Sequence, residues 1–304
     1  MSLFHDPAWP RASEWLANSP SDGPLLAIGD LGANVSITPG QTDEAPRAIR
    51  DALARLSTFD LETGLDLSGT QVWDAGDLDP RSQGPIEGLE GITMRWADAL
   101  EGTIAGVILG GDNSVTRPAV HGLARHRDIN LEEIGIVTLD AHLDLRSTQG
   151  GLHNGNVIAA LLEDGLPGQN VFHIGIAPFA NSREYVETSR QAGTTIVSLE
   201  EVRKTGVGEA VRSVLDDLKS RVKAIHLDLD VDVLDRAFAP ACPGARPGGL
   251  TVGEVREGVQ AAATEPLVAS VSIMEIDPSL DSGSRTVIAA AQFLCTFATG
   301  IQRR

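Results

Sequence analysis

Two short stretches of this chain carry more potential cation ligands than a folded interior tolerates without a counter-charge. The first, IVTLDAHLDLR at 136–146, is an apolar run that ends in Asp140, His142 and Asp144. The second, AIHLDLDVD at 224–232, ends in Asp228, Asp230 and Asp232, with Asp235 three residues further on. Residues two apart in an extended strand point the same way. Each triplet is therefore expected to aim three polar groups at one point where a buried strand reaches the edge of its sheet. Carboxylates crowded into apolar surroundings are costly unless cations neutralise them. Carboxylates and an imidazole delivered by two strands match a two-cation site for hard, oxygen-preferring metals such as Mn²⁺. The bland alternative, a solvated acidic loop, is hard to reconcile with the alternation of the second triplet with Leu229, Val231 and Val233.

Two further segments belong beside these. Gly110 to Thr116 reads GGDNSVT after an apolar run. Glycines at a strand end let the backbone turn sharply towards a ligand, although Asp112 or Ser114 serves equally as a helix cap. Glu275, in SIMEIDP at 272–278, ends the last apolar run. A carboxylate there either faces water or takes a planar cation through two parallel hydrogen bonds. His5, His121, His126, His173 and His226 lie outside these constellations and read as ordinary core or surface residues.

The elements that must position such groups are legible as alternating short apolar runs and amphipathic stretches. Strands are expected at 25–29, 71–74, 103–109, 135–139, 170–174, 194–198, 223–229 and 268–274. Helices are expected at 45–56, 89–101, 117–125, 157–163, 182–192, 209–221, 252–264 and 284–298. Alternation of this kind makes βαβ units: a mainly parallel sheet of about eight strands between two helical layers, a three-layer α/β/α fold. Open sheets of this class bind ligands at the C-terminal ends of their strands. No linker divides the 304 residues, so a single domain is expected over 1–304, with 1–22 as an N-terminal extension.

Composition narrows the partners. With 42 Asp and Glu against 24 Lys and Arg, the formal charge is −18, which disfavours nucleic acid and anionic lipid. Cys242 and Cys295 are the only cysteines, too few for a disulfide framework, and they point to a reducing compartment. The N-terminal residues lack the basic start and apolar run of a secretory leader. No segment reaches the roughly 20 apolar residues of a membrane span. The expectation is a cytoplasmic protein acting on a small molecule.

Taken together, GGDNSV at 110–115, DAHLD at 140–144, DVDVLD at 230–235 and MEIDP at 274–278 resemble the ureohydrolases, the family of arginases, agmatinases and formimidoylglutamases, in order and spacing. Weaker matches at 45–50, 74–77, 247–251 and 281–286 extend the resemblance over most of 28–290. It implies the arginase-like fold, a trimer or hexamer, and two Mn²⁺ per subunit. It implies that Asp140 and Asp230 bridge the metals, that Asp144 binds the first, and that His142 and Asp232 bind the second. Asn113 stands where the family has a histidine ligand of the first metal, so that site is expected to be weakened. Asp228 falls at a position that is usually not a ligand. Glu275 is implied to hold the amidine or guanidine end of the substrate, and Asp144 to orient the nucleophile and relay its proton.

Within the family, three features resemble the formimidoylglutamase branch. The stretch 232–249 is one. In GGLHNG at 150–155, Asn154 takes the place of a histidine found in agmatinases and arginases, with His153 beside it as a chance neighbour or a substitute proton shuttle. Arg146 replaces an asparagine of the arginases. A guanidinium there suits a substrate bearing carboxylates and repels the ammonium tail of agmatine; a salt bridge to a nearby acid is the competing role. The implied reaction is metal-assisted hydrolysis of N-formimino-L-glutamate to L-glutamate and formamide. Two alternatives stand beside it: urea release from agmatine or a guanidino acid, and a catalytically silent protein that lost activity with the histidine.

Overall fold

Eight of the apolar runs become strands, and every pairing in the sheet they form is parallel. They are β1 (Leu25–Leu31), β2 (Gln71–Asp77), β3 (Ala105–Gly110), β4 (Ile134–Leu139), β5 (Val171–Ile176), β6 (Thr195–Ser198), β7 (Ala224–Asp230) and β8 (Val268–Met274). Their spatial order is β2-β1-β3-β8-β7-β4-β5-β6. This is a computed structural model, and it describes residues 6–18 and 22–304. His5 and part of the 1–22 segment lie outside the described residues.

The central strands β3, β4, β7 and β8 are buried along their whole length, whereas the edge strand β2 is largely open. Burial on both faces explains why the central strands read as unbroken apolar runs. One face packs on α1 (Ala12–Ala17), α2 (Ala45–Ala52), and the later helices Leu199–Thr205, Val207–Leu218, Val252–Ala263 and Arg285–Gly300. The other packs on α3 (Leu89–Ala99), α4 (Thr116–Arg127), α5 (Val157–Glu163) and α6 (Arg183–Ala192). Phe293 and Phe297 of the last helix are fully buried, each worth about 1.5–3 kcal/mol against exposure. Ala12 and Trp15 of α1, within the 1–22 segment, are also buried in this core.

Among the α-helices and strands, four elements were not visible in the sequence: α1, the one-turn helix Gly84–Glu87, the helix Leu199–Thr205, and a two-stranded antiparallel pairing of Phe59–Asp60 with Leu65–Asp66. His173 and His226 sit inside the sheet as buried residues. No helix among the described residues is long and apolar enough to cross a membrane.

The chain builds β1 to β3 on one side, β4 to β6 on the other, and inserts β8 and β7 between them last. Helical crossovers turn β3, β8, β7 and β4 into four adjacent strands whose C-terminal ends share one edge. That is the switch region where open α/β sheets place ligands.

Candidate active site

The turn after β3 starts at Gly111, where any Cβ would strike the Ala33 backbone. Asp112 Oδ1 accepts from Ser114 N at 3.0 Å and opens the turn Asn113–Val115 into α4. Its other oxygen accepts from Val35 N, so one buried carboxylate caps a helix entry and ties the 33–38 loop across the site. Asn113 N donates to Glu275 Oε1 at 2.7 Å, and Asn113 Nδ2 donates to Asp144 Oδ2 at 2.5 Å.

The triplet after β4 converges for a different reason from the one expected. The strand stops at Leu139, so Asp140, His142 and Asp144 lie in an irregular loop and strand alternation does not aim them. Instead Asp140 Oδ1 accepts from His142 N at 2.6 Å. Asn181 clamps the loop by accepting from Leu143 N at 2.9 Å and donating to Ala141 O at 3.1 Å. Asp144 then turns back with φ 49°.

After β7 the expectation holds only in part. Asp228 and Asp230 belong to the strand and share a face, but Asp232 sits in the turn Val231–Val233, where its N–H donates to Asp230 Oδ1 at 2.7 Å. Gly244 lies so close to Asp232 Oδ2 that a Cβ there would displace the carboxylate. Glu275 follows β8 with φ 67°. Its backbone is held by Gly111 O at 2.8 Å and by the buried Cys242 thiol, which donates to Glu275 O at 2.6 Å.

These four turns meet in a cavity of ≈ 170 Å³ lined by Asn113, His142, Asp144, Arg146, Asn154, Asp230, Asp232 and Glu275. The volume is below the roughly 300–1,000 Å³ typical of drug-sized ligand sites, which limits the occupant to a small molecule. Ligand atoms of Asp140, His142 and Asp232 lie within 4.8 Å of one another. His142 Nδ1 is 2.6 Å from Asp232 Oδ2. Asn154 reaches across to donate to Glu275 Oε1 at 2.9 Å. Arg146 is exposed at the mouth, near the Tyr185 ring. His153 is not in the lining; its Nδ1 accepts from Gly155 N at 3.1 Å. Asp228 lies deeper and accepts from Thr116 Oγ1 at 2.8 Å.

The electrostatics describe a site short of positive charge. Burial, together with Asp232 and Asp144, pushes Asp140 well above the usual carboxylate range, and burial with Asp232 and Asp140 does the same to Asp230. Burial raises Asp144 to about 8, with Asp228 and Asp232 adding to it. Burial and the Asp112 charge push Glu275 up to about 8. Burial alone would lower the His142 imidazole, but Asp232 and Asp140 outweigh it and push it up to about 11. Conversely, burial raises Asp232, and the His142 cation more than offsets it. A protonated His142 is thus the nearest cation to carboxylates that need one. The donor set of carboxylate oxygens, one imidazole and one carboxamide fits hard divalent cations.

Sequence reasoning missed Ser36–Thr38, Gly244 and Arg246 in the lining and Asn181 behind it. None belongs to a ligand-spaced cluster, and each reaches the site through long-range packing, so no local signal marks it.

The Arginase family profile matches residues 30–300, and the chain belongs to that family. It is 32% identical to a formimidoylglutamase of Halalkalibacterium halodurans over 92% of this chain and 89% of that protein. The crystal structure of formimidoylglutamase from Bacillus subtilis superposes with a TM-score of 0.89 at 30% identity, covering 99% of this chain and 94% of that one. A Trypanosoma cruzi formiminoglutamase solved with Mn²⁺ shares the fold, with a TM-score of 0.83 at 22% identity over 97% and 99% of the two chains.

Proposed function

We propose that this chain is a Mn²⁺-dependent amidine hydrolase that converts N-formimino-L-glutamate to L-glutamate and formamide. One observation carries the reading: the ligand cluster Asp140, His142 and Asp232 and the braced carboxylate Glu275 line or adjoin one small cavity with a guanidinium at its mouth. The relatives named above support the choice of substrate.

In this reading Asp140, Asp144, Asp230, Asp232, His142 and Asn113 hold two metal ions. When bound, the pair lowers the pKa of a water so that it serves as nucleophile at neutral pH. Glu275 receives Asn113 N and Asn154 Nδ2 on the same oxygen, Oε1, which leaves Oε2 to face the charged formimino group. An ionised carboxylate holding an amidinium is a charge-assisted, planar match. Asp144 orients the attacking water and carries its proton towards the departing nitrogen on Oδ1, the oxygen that Asn113 does not engage. Arg146 receives a carboxylate of the substrate at the rim.

The test is a product assay of the Mn²⁺-loaded protein on N-formimino-L-glutamate, agmatine, 4-guanidinobutyrate and arginine. Formamide from the first and little urea from the others is expected. Urea as the faster product reassigns the substrate, and no product from any of the four makes the chain catalytically silent.

A further inference from the structure

Asn113 is the weak point of the proposed metal centre, and its surroundings are more specific than a passive replacement requires. Its Oδ1 accepts from Thr116 Oγ1 at 2.9 Å, while the same hydroxyl donates to Asp228 Oδ1 at 2.8 Å. A hydroxyl carries one hydrogen. It cannot satisfy two oxygens at once, so one of the two contacts has no proton in it. Asp228 is fully buried, and its Oδ2 has no hydrogen-bond partner. With Asp228 ionised, a donor is therefore missing on the inner side of Asn113.

Rotating the carboxamide by half a turn removes the conflict at Thr116, since oxygen and nitrogen of an amide are nearly isosteric. Nδ2 then occupies the inner position, donating to Thr116 Oγ1, and the Thr116 hydrogen goes to Asp228 alone. Oδ1 takes the outer position facing Asp144 Oδ2, which in the unrotated form lies 2.5 Å from the amide nitrogen, and two oxygens that close repel unless a cation sits between them. There it is an oxygen next to a carboxylate, the arrangement a hard cation requires. Ser272 Oγ lies 3.3 Å from Thr116 Oγ1 and is itself bonded to His226 Nε2 at 2.9 Å, which backs Thr116 from the sheet.

We infer that Thr116 and Asp228 are positioning residues for the first metal, a hydroxyl and a buried carboxylate that hold the Asn113 carboxamide with its oxygen towards the cation. The inference rests on the two-metal reading above. A ligand that donates its second polar atom towards a carboxylate is oriented and made a better donor, and losing such a partner costs about 10–100-fold in metal affinity. Asp228, at a position that is usually not a ligand, thus compensates for the carboxamide.

The experiment is Mn²⁺ titration of the metal-free full chain, read by the free-ion electron paramagnetic resonance signal, which reports binding independently of activity. Two sites of unequal affinity are expected in the unaltered protein. Asp228→Asn and Thr116→Val should each weaken the weaker site at least tenfold and leave the other unchanged, whereas Thr116→Ser should retain it. Combined with Asn113→Ala, Asp228→Asn should have little further effect on that site, because no carboxamide remains to be oriented. Unchanged first-site binding in both single variants overturns the inference, as does an equal loss with and without Asn113→Ala. A folded, unaltered protein that binds only one Mn²⁺ instead defeats the two-metal reading on which the inference stands.

Discussion

Asp144 and Glu275, the two carboxylates assigned to chemistry, both sit in the left-handed backbone region, at φ 49° and 67°. Asp tolerates that state through local hydrogen bonding, whereas for Glu it costs on the order of 1–2 kcal/mol. Backbone strain that persists only because its surroundings enforce it clusters at functional sites. Here Gly111 O and the Cys242 thiol hold the Glu275 backbone in place. Glu275→Gln keeps the shape and one oxygen but removes the charge that faces the amidinium. Its kcat/KM should fall about 10²–10³-fold, with Mn²⁺ content unchanged by elemental analysis; near-normal turnover would remove Glu275 from the reaction. Arg146 is exposed, so a charge-assisted pair with a substrate carboxylate sits at the low end of its usual range, about 1.5 kcal/mol. Steady-state kinetics of Arg146→Ala should show KM for N-formimino-L-glutamate rising about tenfold with kcat little changed. An unchanged KM would leave Arg146 as a surface residue beside Tyr185.

Between elements, Asp164 links the C-terminal end of α5 to the first turns of α4. Arg117 Nε and Nη2 donate to its two oxygens at 2.6 and 2.7 Å, and His121 Nε2 lies 2.9 Å from Oδ2. Burial raises the Asp164 pKa, but the Arg117 and His121 hydrogen bonds outweigh it and hold the carboxyl far below its usual value. A carboxylate depressed in the folded state stabilises the fold above its unfolded pKa of about 3.9 and loses that contribution as pH falls through the folded value. Asp164→Asn should therefore cost about 1–2 kcal/mol in urea unfolding at pH 7, discounted for partial exposure. The difference from the unaltered protein should shrink as the pH is taken well below 3.9; a pH-independent difference would deny the ion pair its role. The strands were legible because burial on both faces leaves an apolar run no alternative. The helix Leu199–Thr205 escaped notice because it is a polar two-turn segment whose Leu199 and Val202 alone are buried. The ligand positions after β4 were readable from residue type, but their geometry was not. Asn181 and the φ of Asp144 bend that loop, and neither is encoded in the two-residue spacing. His153 and Asn154 were adjacent candidates, and the turn that caps Gly155 with His153 gave the cavity to Asn154.

Over the whole molecule, the formal charge of −18 makes an acidic substrate an unfavourable visitor unless positive charge is concentrated at its entry. Arg146 and Arg246 line the cavity that also holds Glu275, and two divalent cations at its floor would add four charges to the same 170 Å³ cavity. The fold brings the ends of β3, β8, β7 and β4 together at the sheet's switch region, and Asp140, Asp144, Asp230 and Glu275 gathered there are held above their ordinary pKa values, with Asp232 alone lowered by His142. Metal dependence is thus the property on which the rest depends. The direct measurement is formamide release from N-formimino-L-glutamate by chelated protein before and after Mn²⁺ is added back, with Asp230→Ala in parallel. Loss on chelation, recovery with Mn²⁺ and no recovery in Asp230→Ala are predicted; full activity in the metal-free protein or in the variant would contradict the account.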